Sequence, residues 1–198
     1  MEIKVQHNIK KFTANLNKFK RVDIPKVNYA AMNETAKKVV HMEKLGMKKH
    51  FDRPRPTTVK SVFFIPAKRN KMFARITFRH WAQEFIHRNI VGGVRAVTNT
   101  AVPTVNARLN QFGNIPGRRT GVVKRNQFIA TINNIYGVWE RNKRTNALKI
   151  IHRFETNPVY ESIYPFYRIA KKTTNTFFPR NYNRIAKYYI KKAGYRVR

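Results

Sequence analysis

Apolar residues recur at three- and four-residue spacing over the first quarter of the chain. In 1–22, Val5, Ile9, Phe12 and Leu16 are interleaved with Lys4, Lys10, Lys11, Lys18, Lys20 and Arg21. That pattern predicts a basic N-terminal arm, either a solvated extension or a short amphipathic helix. A longer helix is expected from Asp23-Ile24-Pro25. Asp can cap the free amides of a first turn, and Pro is tolerated there because its missing N–H would have had no partner. Met32, Thr35, Ala36, Val39 and Met42 then form one apolar stripe, which Gly46 interrupts and Pro54 and Pro56 end.

The periodicity changes after the prolines. Residues 57–67 and 72–78 are rich in Val, Thr, Ile and Phe, and the polar link Lys68-Arg69-Asn70-Lys71 predicts a hairpin turn. Residues 80–90 read as a short helix closed by Gly92-Gly93. Pro103, Gly113, Pro116, Gly117 and Gly121 punctuate 95–125, which predicts a flexible, turn-rich loop. Strands are expected over 127–132, 135–141 and 147–154, with turns at Asn133-Asn134 and 142–146. Two helices are expected at the C-terminal end, 165–177 and 180–193, separated by Pro179. In the second, Tyr182, Ile185, Ala186, Tyr189 and Ala193 share one face, and Arg180, Arg184, Lys187 and Lys191 share another. The succession of helix, hairpin, helix, loop, strands and terminal helices predicts an α+β fold.

Charge changes the picture more than any motif. The 198 residues hold 42 Lys plus Arg against 9 Asp plus Glu, a formal net charge of +33. No acid lies between Glu84 and Glu140, and none follows Glu161. An excess of this size repels itself and is tolerable mainly beside polyanions or acidic partners. Hydrophobic residues make up 42% and aromatics 13%, enough to build a core, so wholesale disorder is not expected. With no cysteine there is no disulfide framework, thiolate zinc site or cysteine nucleophile. No apolar run approaches the roughly 18–20 residues that span a bilayer, and the first residues lack the order of a secretory signal.

Catalytic patterns are sparse. Ser61 and Ser162 are the only serines, and neither lies in a Gly-x-Ser-x-Gly elbow. Gly113, Gly117 and Gly121 are not followed by the Gly-Lys-Ser/Thr of a phosphate loop. His80, Glu84 and His87 share a helical face and could gather a divalent cation. Their spacing is not a zinc motif, so the favoured reading is a polar face with Glu84 paired to Arg88. Nine scattered acids offer no carboxylate group for a metal-dependent nuclease, and an enzyme is not expected. Tyr136, Trp139, Tyr160, Tyr164, Phe166 and Tyr167 could stack on bases, but such residues more often fill a core. The basic groups remain. Arg118-Arg119 and Lys124-Arg125 flank Gly121, and the last helix carries its own stripe. Cations on such supports contact phosphates without reading sequence.

Several short segments carry a family resemblance. They are Asn33-Glu34-Thr35-Ala36-Lys37-Lys38-Val39, Phe51-Asp52-Arg53-Pro54-Arg55-Pro56-Thr57, Gly92-Gly93-Val94-Arg95, Gln111-Phe112-Gly113-Asn114 and Gly137-Val138-Trp139-Glu140-Arg141. From about residue 24 onward, their order together with the size and basicity of the chain resembles the minor tail protein Z group of tailed bacteriophages, also described as tail-completion or neck proteins. The resemblance implies a structural virion protein, assembled in the host cytoplasm and placed at the head-proximal end of the tail. It implies a homo-oligomeric, hexameric ring around the DNA channel that joins tail to head. Expected partners are neighbouring neck or tail-tube proteins with acidic surfaces and, nonspecifically, genomic DNA; no membrane and no cofactor is expected.

The implied architecture is a long N-terminal helix packed on a twisted, mostly antiparallel sheet, with C-terminal helices. On this reading 1–22 is an arm and 23–198 a single domain. Arg118, Arg119, Lys124 and Arg125 are the first candidates for phosphate contact, and Arg184, Lys187, Lys191 and Lys192 the second. Gly137, Val138, Trp139 and Arg141 are assigned to the sheet and to subunit contacts. The alternative is a ribosomal or other RNA- or DNA-binding basic protein.

Overall fold

The computed structural model describes residues 9–116 and 126–192. The elements in chain order are α1 (Ile9–Lys18), a π-helical turn (Phe19–Asp23), α2 (Ile24–His50), α3 (Pro56–Val59), β1 (Val62–Ile65), β2 (Arg75–Phe78) and α4 (His80–Val91). They continue with β3 (Gly93–Val94), β4 (Thr100–Pro103), β5 (Gln127–Ile132), β6 (Ile135–Arg141), β7 (Leu148–Glu155), β8 (Val159–Tyr160) and α5 (Phe166–Lys192). The fold is α+β, with a long N-terminal helix, antiparallel sheets and a C-terminal helix. The chain forms two compact units: 1–46 with 60–80 and 165–198, and 47–59 with 81–164.

The first unit is built on α2 and α5. Val27 and Ala31 of α2 and Ile185 of α5 are buried together, with Ala30, Phe178, Tyr182, Ala186 and Tyr189 packed around them. Removing these apolar surfaces from water is the main source of stability for the pair, at about 25 cal/mol per Å². The hairpin β1–β2 belongs to the same unit and is antiparallel, with Val62 opposite Phe78 and Ile65 opposite Arg75. Asn33 ties the hairpin to α2. Its Nδ2 donates to the Ala67 carbonyl at 3.0 Å, and its Oδ1 accepts from the Ala67 N–H at 2.7 Å, as a strand neighbour would.

Helix α2 begins at Ile24, where Asp23-Ile24-Pro25 places it, but no free helix end lies there for Asp23 to cap. The chain is helical from Ile9 onward, and Asp23 closes the π-helical turn, where the Ile24 N–H donates to the Phe19 carbonyl. A proline in a helix lacks a donor and presses on the carbonyl four residues back. Pro25 comes directly after the π-helical turn, and the chain stays helical across a residue that the sequence places at a helix start. The helix also continues through Gly46, which is buried, and ends at His50. At the other end of the chain, Pro179 lies inside α5 and does not divide it. Apolar residues on both sides of it pack on α2, and that burial outweighs the roughly 3 kcal/mol a helical proline costs. The expected strand over 57–67 shortens to Val62–Ile65, because Pro56 starts α3 and the Val59 N–H bonds back to the Arg55 carbonyl at 3.1 Å.

The second unit holds a four-stranded antiparallel sheet in the order β4-β7-β6-β5. Strands β5 and β6 are joined by Asn133 and Asn134, at φ 50° and 61°. Two consecutive positive values make the type I′ turn that matches strand twist, and Asn adopts it more readily than most residues. The next turn rests on Asn142, whose Oδ1 accepts from the Arg144 N–H at 2.9 Å and the Thr145 N–H at 3.3 Å. Part of 95–125 is regular. Residues 100–103 form the edge strand β4, where Pro103 is tolerated, and Asn110 Oδ1 caps a tight turn by accepting from the Phe112 and Asn114 N–H groups. Register shifts between Val138 and Trp139, a bulge that leaves Ile151 unmatched on β7. Thr104 covers this irregularity, its Oγ1 donating to the Ile150 carbonyl at 2.7 Å and its N–H to the Ile151 carbonyl at 3.0 Å.

Candidate functional site

Helix α5 has the two faces its sequence predicts. Ile185 is buried, Tyr182, Ala186 and Tyr189 are half-buried against α2, and Arg180, Arg184, Lys187, Lys191 and Lys192 are exposed. Two polar links fix the rotation of the helix. Asn181 Nδ2 donates to Thr35 Oγ1 at 3.1 Å, and the Arg184 guanidinium pairs with the Glu34 carboxylate of α2. Arg184 is therefore already engaged, so a phosphate would have to displace Glu34. The barrier is small, because an exposed pair contributes about 0–1 kcal/mol. Lys187, Lys191 and Lys192 have no carboxylate within ion-pair distance among the described residues.

Arg118, Arg119, Lys124 and Arg125 lie outside the described residues. Gly137, Val138, Trp139 and Arg141 all lie on β6. Val138 and Trp139 are buried in the chain's own sheet, where the Trp139 Nε1–H donates to the Ala130 carbonyl at 3.1 Å. Gly137 is required by close approach, since a β-carbon there would overlap the His152 carbonyl oxygen of β7. Of the four, only Arg141 presents an exposed side chain, its guanidinium 6.0 Å from the Phe128 ring centre.

Of the remaining candidates, Glu84 and Tyr164 are engaged within the fold, and Tyr136 and Tyr167 are exposed. Glu84 Oε1 accepts from Arg88 Nη2 at 2.9 Å and lies 3.7 Å from Arg95 Nε, so it is held by cations. The Arg88 hydrogen bond first, then the charges of Arg88 and Arg95, hold its carboxyl below the usual value. No group of three or more His, Asp or Glu among the described residues could hold a metal ion. Tyr164 is fully buried, with its ring centroid 5.3 Å from that of Phe51 and 6.4 Å from that of His50, so it cannot stack on a base. Tyr167 is exposed, edge-on to Phe166 at 5.4 Å. On β7, burial pushes the His152 imidazole below its ordinary pKa, and its Nδ1 has no hydrogen-bond partner among the described residues. Among the described residues, no helix is long and apolar enough to cross a membrane.

The link Lys68–Lys71, a turn by its sequence pattern, carries no motif that marks it as a binding surface. The Lys68 and Lys71 backbones exchange hydrogen bonds of 2.9 Å, and the whole link is exposed. The Lys71 ammonium sits 4.9 Å from the Phe73 ring centre, and Lys38 of α2 sits 6.0 Å from that of Phe177 on α5. One signal could have found this surface: neither 60–80 nor 165–198 contains an acid, and both belong to the same unit. Comparison of the chain with protein-family models, with curated proteins and with solved structures found no match to any of them.

Proposed function

We propose that this chain is a structural virion protein of a tailed bacteriophage, a tail-completion or neck component at the head-proximal end of the tail. In this reading copies of it form a ring around the DNA channel and join tail to head, and the cationic surfaces face genomic DNA or the acidic surfaces of neighbouring neck and tail-tube proteins. The observation that carries the reading is α5, pinned by its apolar face and offering on the other Lys187, Lys191 and Lys192, which have no carboxylate partner among the described residues, in a chain of net charge +33. The short segments that resemble the tail-completion group suggest the particular setting, and the α+β fold agrees with the one that resemblance implies.

Phosphate contacts of this kind hold DNA without a sequence-dependent trap, because they depend on backbone charge and allow sliding. Duplex binding should therefore weaken with salt by about 0.9 decades of affinity per decade of salt for each phosphate neutralised. Replacing Lys187, Lys191 and Lys192 together with Gln should lower that slope by about one for each lysine that touches phosphate. Replacing Arg118 and Arg119 with Ala should lower it by about one to two. A salt-insensitive interaction removes DNA from the proposal. Electron microscopy of the purified protein and of particles should show a ring at the head–tail junction. Preference for structured RNA over duplex, without a ring, would instead favour an RNA-associated protein.

A further inference from the structure

We infer that an open apolar groove in the first unit, between α2, the hairpin and α5, is the docking site for an acidic amphipathic segment of a partner protein. The inference rests on the reading that the chain works among acidic neighbours, and it assigns them a place other than the phosphate-contacting face of α5. The groove has a volume of about 330 Å³, and its walls include Met32, Ala36 and Val39 of α2, Ala74 and Ile76 of the hairpin and Phe178 of α5. That volume is at the lower end of the roughly 300–1,000 Å³ of ligand pockets. Its lining is aliphatic, aromatic and methionine-bearing, a surface that adapts to apolar side chains.

The rim decides the occupant. Lys71 lies over the ring of Phe73, which is 49% exposed beside the groove, and Lys38 lies over the ring of Phe177 next to Phe178. Arg69 and Arg75 are exposed on the same hairpin, and the hairpin and α5 segments carry no acid. An occupant must therefore place apolar groups between flanking cations and carry negative charge around them. An amphipathic helix with Leu- or Phe-type anchors and Glu or Asp beside them meets both demands. A duplex meets only one, since its phosphates have nothing to insert into an apolar groove. A single strand could stack a base on Phe73, but the side chains of the walls bring few polar groups to base edges, the hydroxyls of Thr35 and Thr174, and that of Thr35 already accepts from Asn181.

The test uses the full chain and three labelled helical peptides: one with Leu on one face and Glu on the other, one with each Glu replaced by Lys, and one with each Leu replaced by Ser. Fluorescence anisotropy should show binding of the Leu/Glu peptide and at least about tenfold weaker binding of the other two. Ala74→Phe fills the groove from a residue outside the strands and should weaken the Leu/Glu peptide about tenfold. Lys38→Glu with Lys71→Glu, both at exposed positions, should do the same without touching the apolar walls. Thermal melts of both variants establish that they remain folded. Equal binding of the Ser or Lys peptide, or unchanged affinity in both folded variants, overturns the proposal, as does displacement of the peptide by a single-stranded oligonucleotide at lower concentration than by excess unlabelled peptide. Duplex binding is measured in parallel. Ala74→Phe should leave its salt slope unchanged, so a chain that binds the peptide but no DNA removes the DNA contact and keeps this site.

Discussion

Gly137 shows how much one residue can be asked to do by its neighbours rather than by its own conformation. Its backbone is not in the left-handed region, yet a methyl group there would run into the His152 carbonyl and crowd Arg153 Cα, both backbone atoms of β7. Neither can yield unless the β6–β7 ladder opens at the bulge. Gly137→Ala should therefore destabilise the fold by about 3 kcal/mol, the upper end of ordinary overpacking. The midpoint of urea unfolding measures it, and a change below about 0.5 kcal/mol would mean that the strands are not in this contact. Asn133 and Asn134 stand at the opposite extreme, chosen for backbone conformation alone. Their turn was legible in the sequence because it depends on two adjacent residues. The need for Gly137 was not, because the clash is with a strand that starts eleven residues later.

At the scale of elements, the same contrast separates the strands of the second unit from the helices. Strands 127–132 and 135–141 stand where alternation and flanking asparagines place them, since pattern and turn are both local. Prolines mark the start of α2 at Ile24 and its end at His50, before Pro54 and Pro56, but they divide neither the helical run from Ile9 nor α5. Pro25 follows a π-helical turn, a local arrangement, whereas Pro179 lies within a helix whose apolar residues are packed on either side, so there tertiary contact overrides the local penalty. The side chain of Pro179 is exposed and contributes little packing. Pro179→Ala should then restore a backbone hydrogen bond and raise stability by about 1–3 kcal/mol. A loss of stability, read from the same denaturation curves, would show that the proline holds α5 in the shape α2 needs. Strand β4 escaped sequence analysis because four residues ending in Pro103 carry no alternation, and only pairing with β7 makes them a strand.

For the molecule as a whole, electrostatics is the dominant unbalanced term. Glu34, Asp52, Glu84, Glu140 and Glu155 each already face an Arg or Lys. The remaining cations have too few acids to meet, with 42 basic against 9 acidic residues. Raising sodium chloride from about 10 mM to about 150 mM shortens the screening length from roughly 30 Å to roughly 8 Å. The exposed ion pairs weaken slightly, but the repulsion among many more like charges weakens further, so the melting temperature should rise with salt. A melting temperature that falls over this range, followed by circular dichroism without polyanion, would show that self-repulsion does not limit the fold. Short duplex DNA added at low salt should raise the melting temperature by binding the folded chain.

The amino-acid sequence by itself determined the charge, the α+β succession of elements, the two-residue turn at Asn133-Asn134 and the two faces of the last helix, because each follows from composition or from residues within a turn or two of one another. Tertiary structure alone decided the passage of α5 through Pro179, the pairing of β4 with β7, the engagement of Arg184 by Glu34 and the groove between α2, the hairpin and α5. Those features join segments from tens of residues to 150 residues apart. What such segments cost or contribute depends on the atoms they meet, and no local pattern records that meeting.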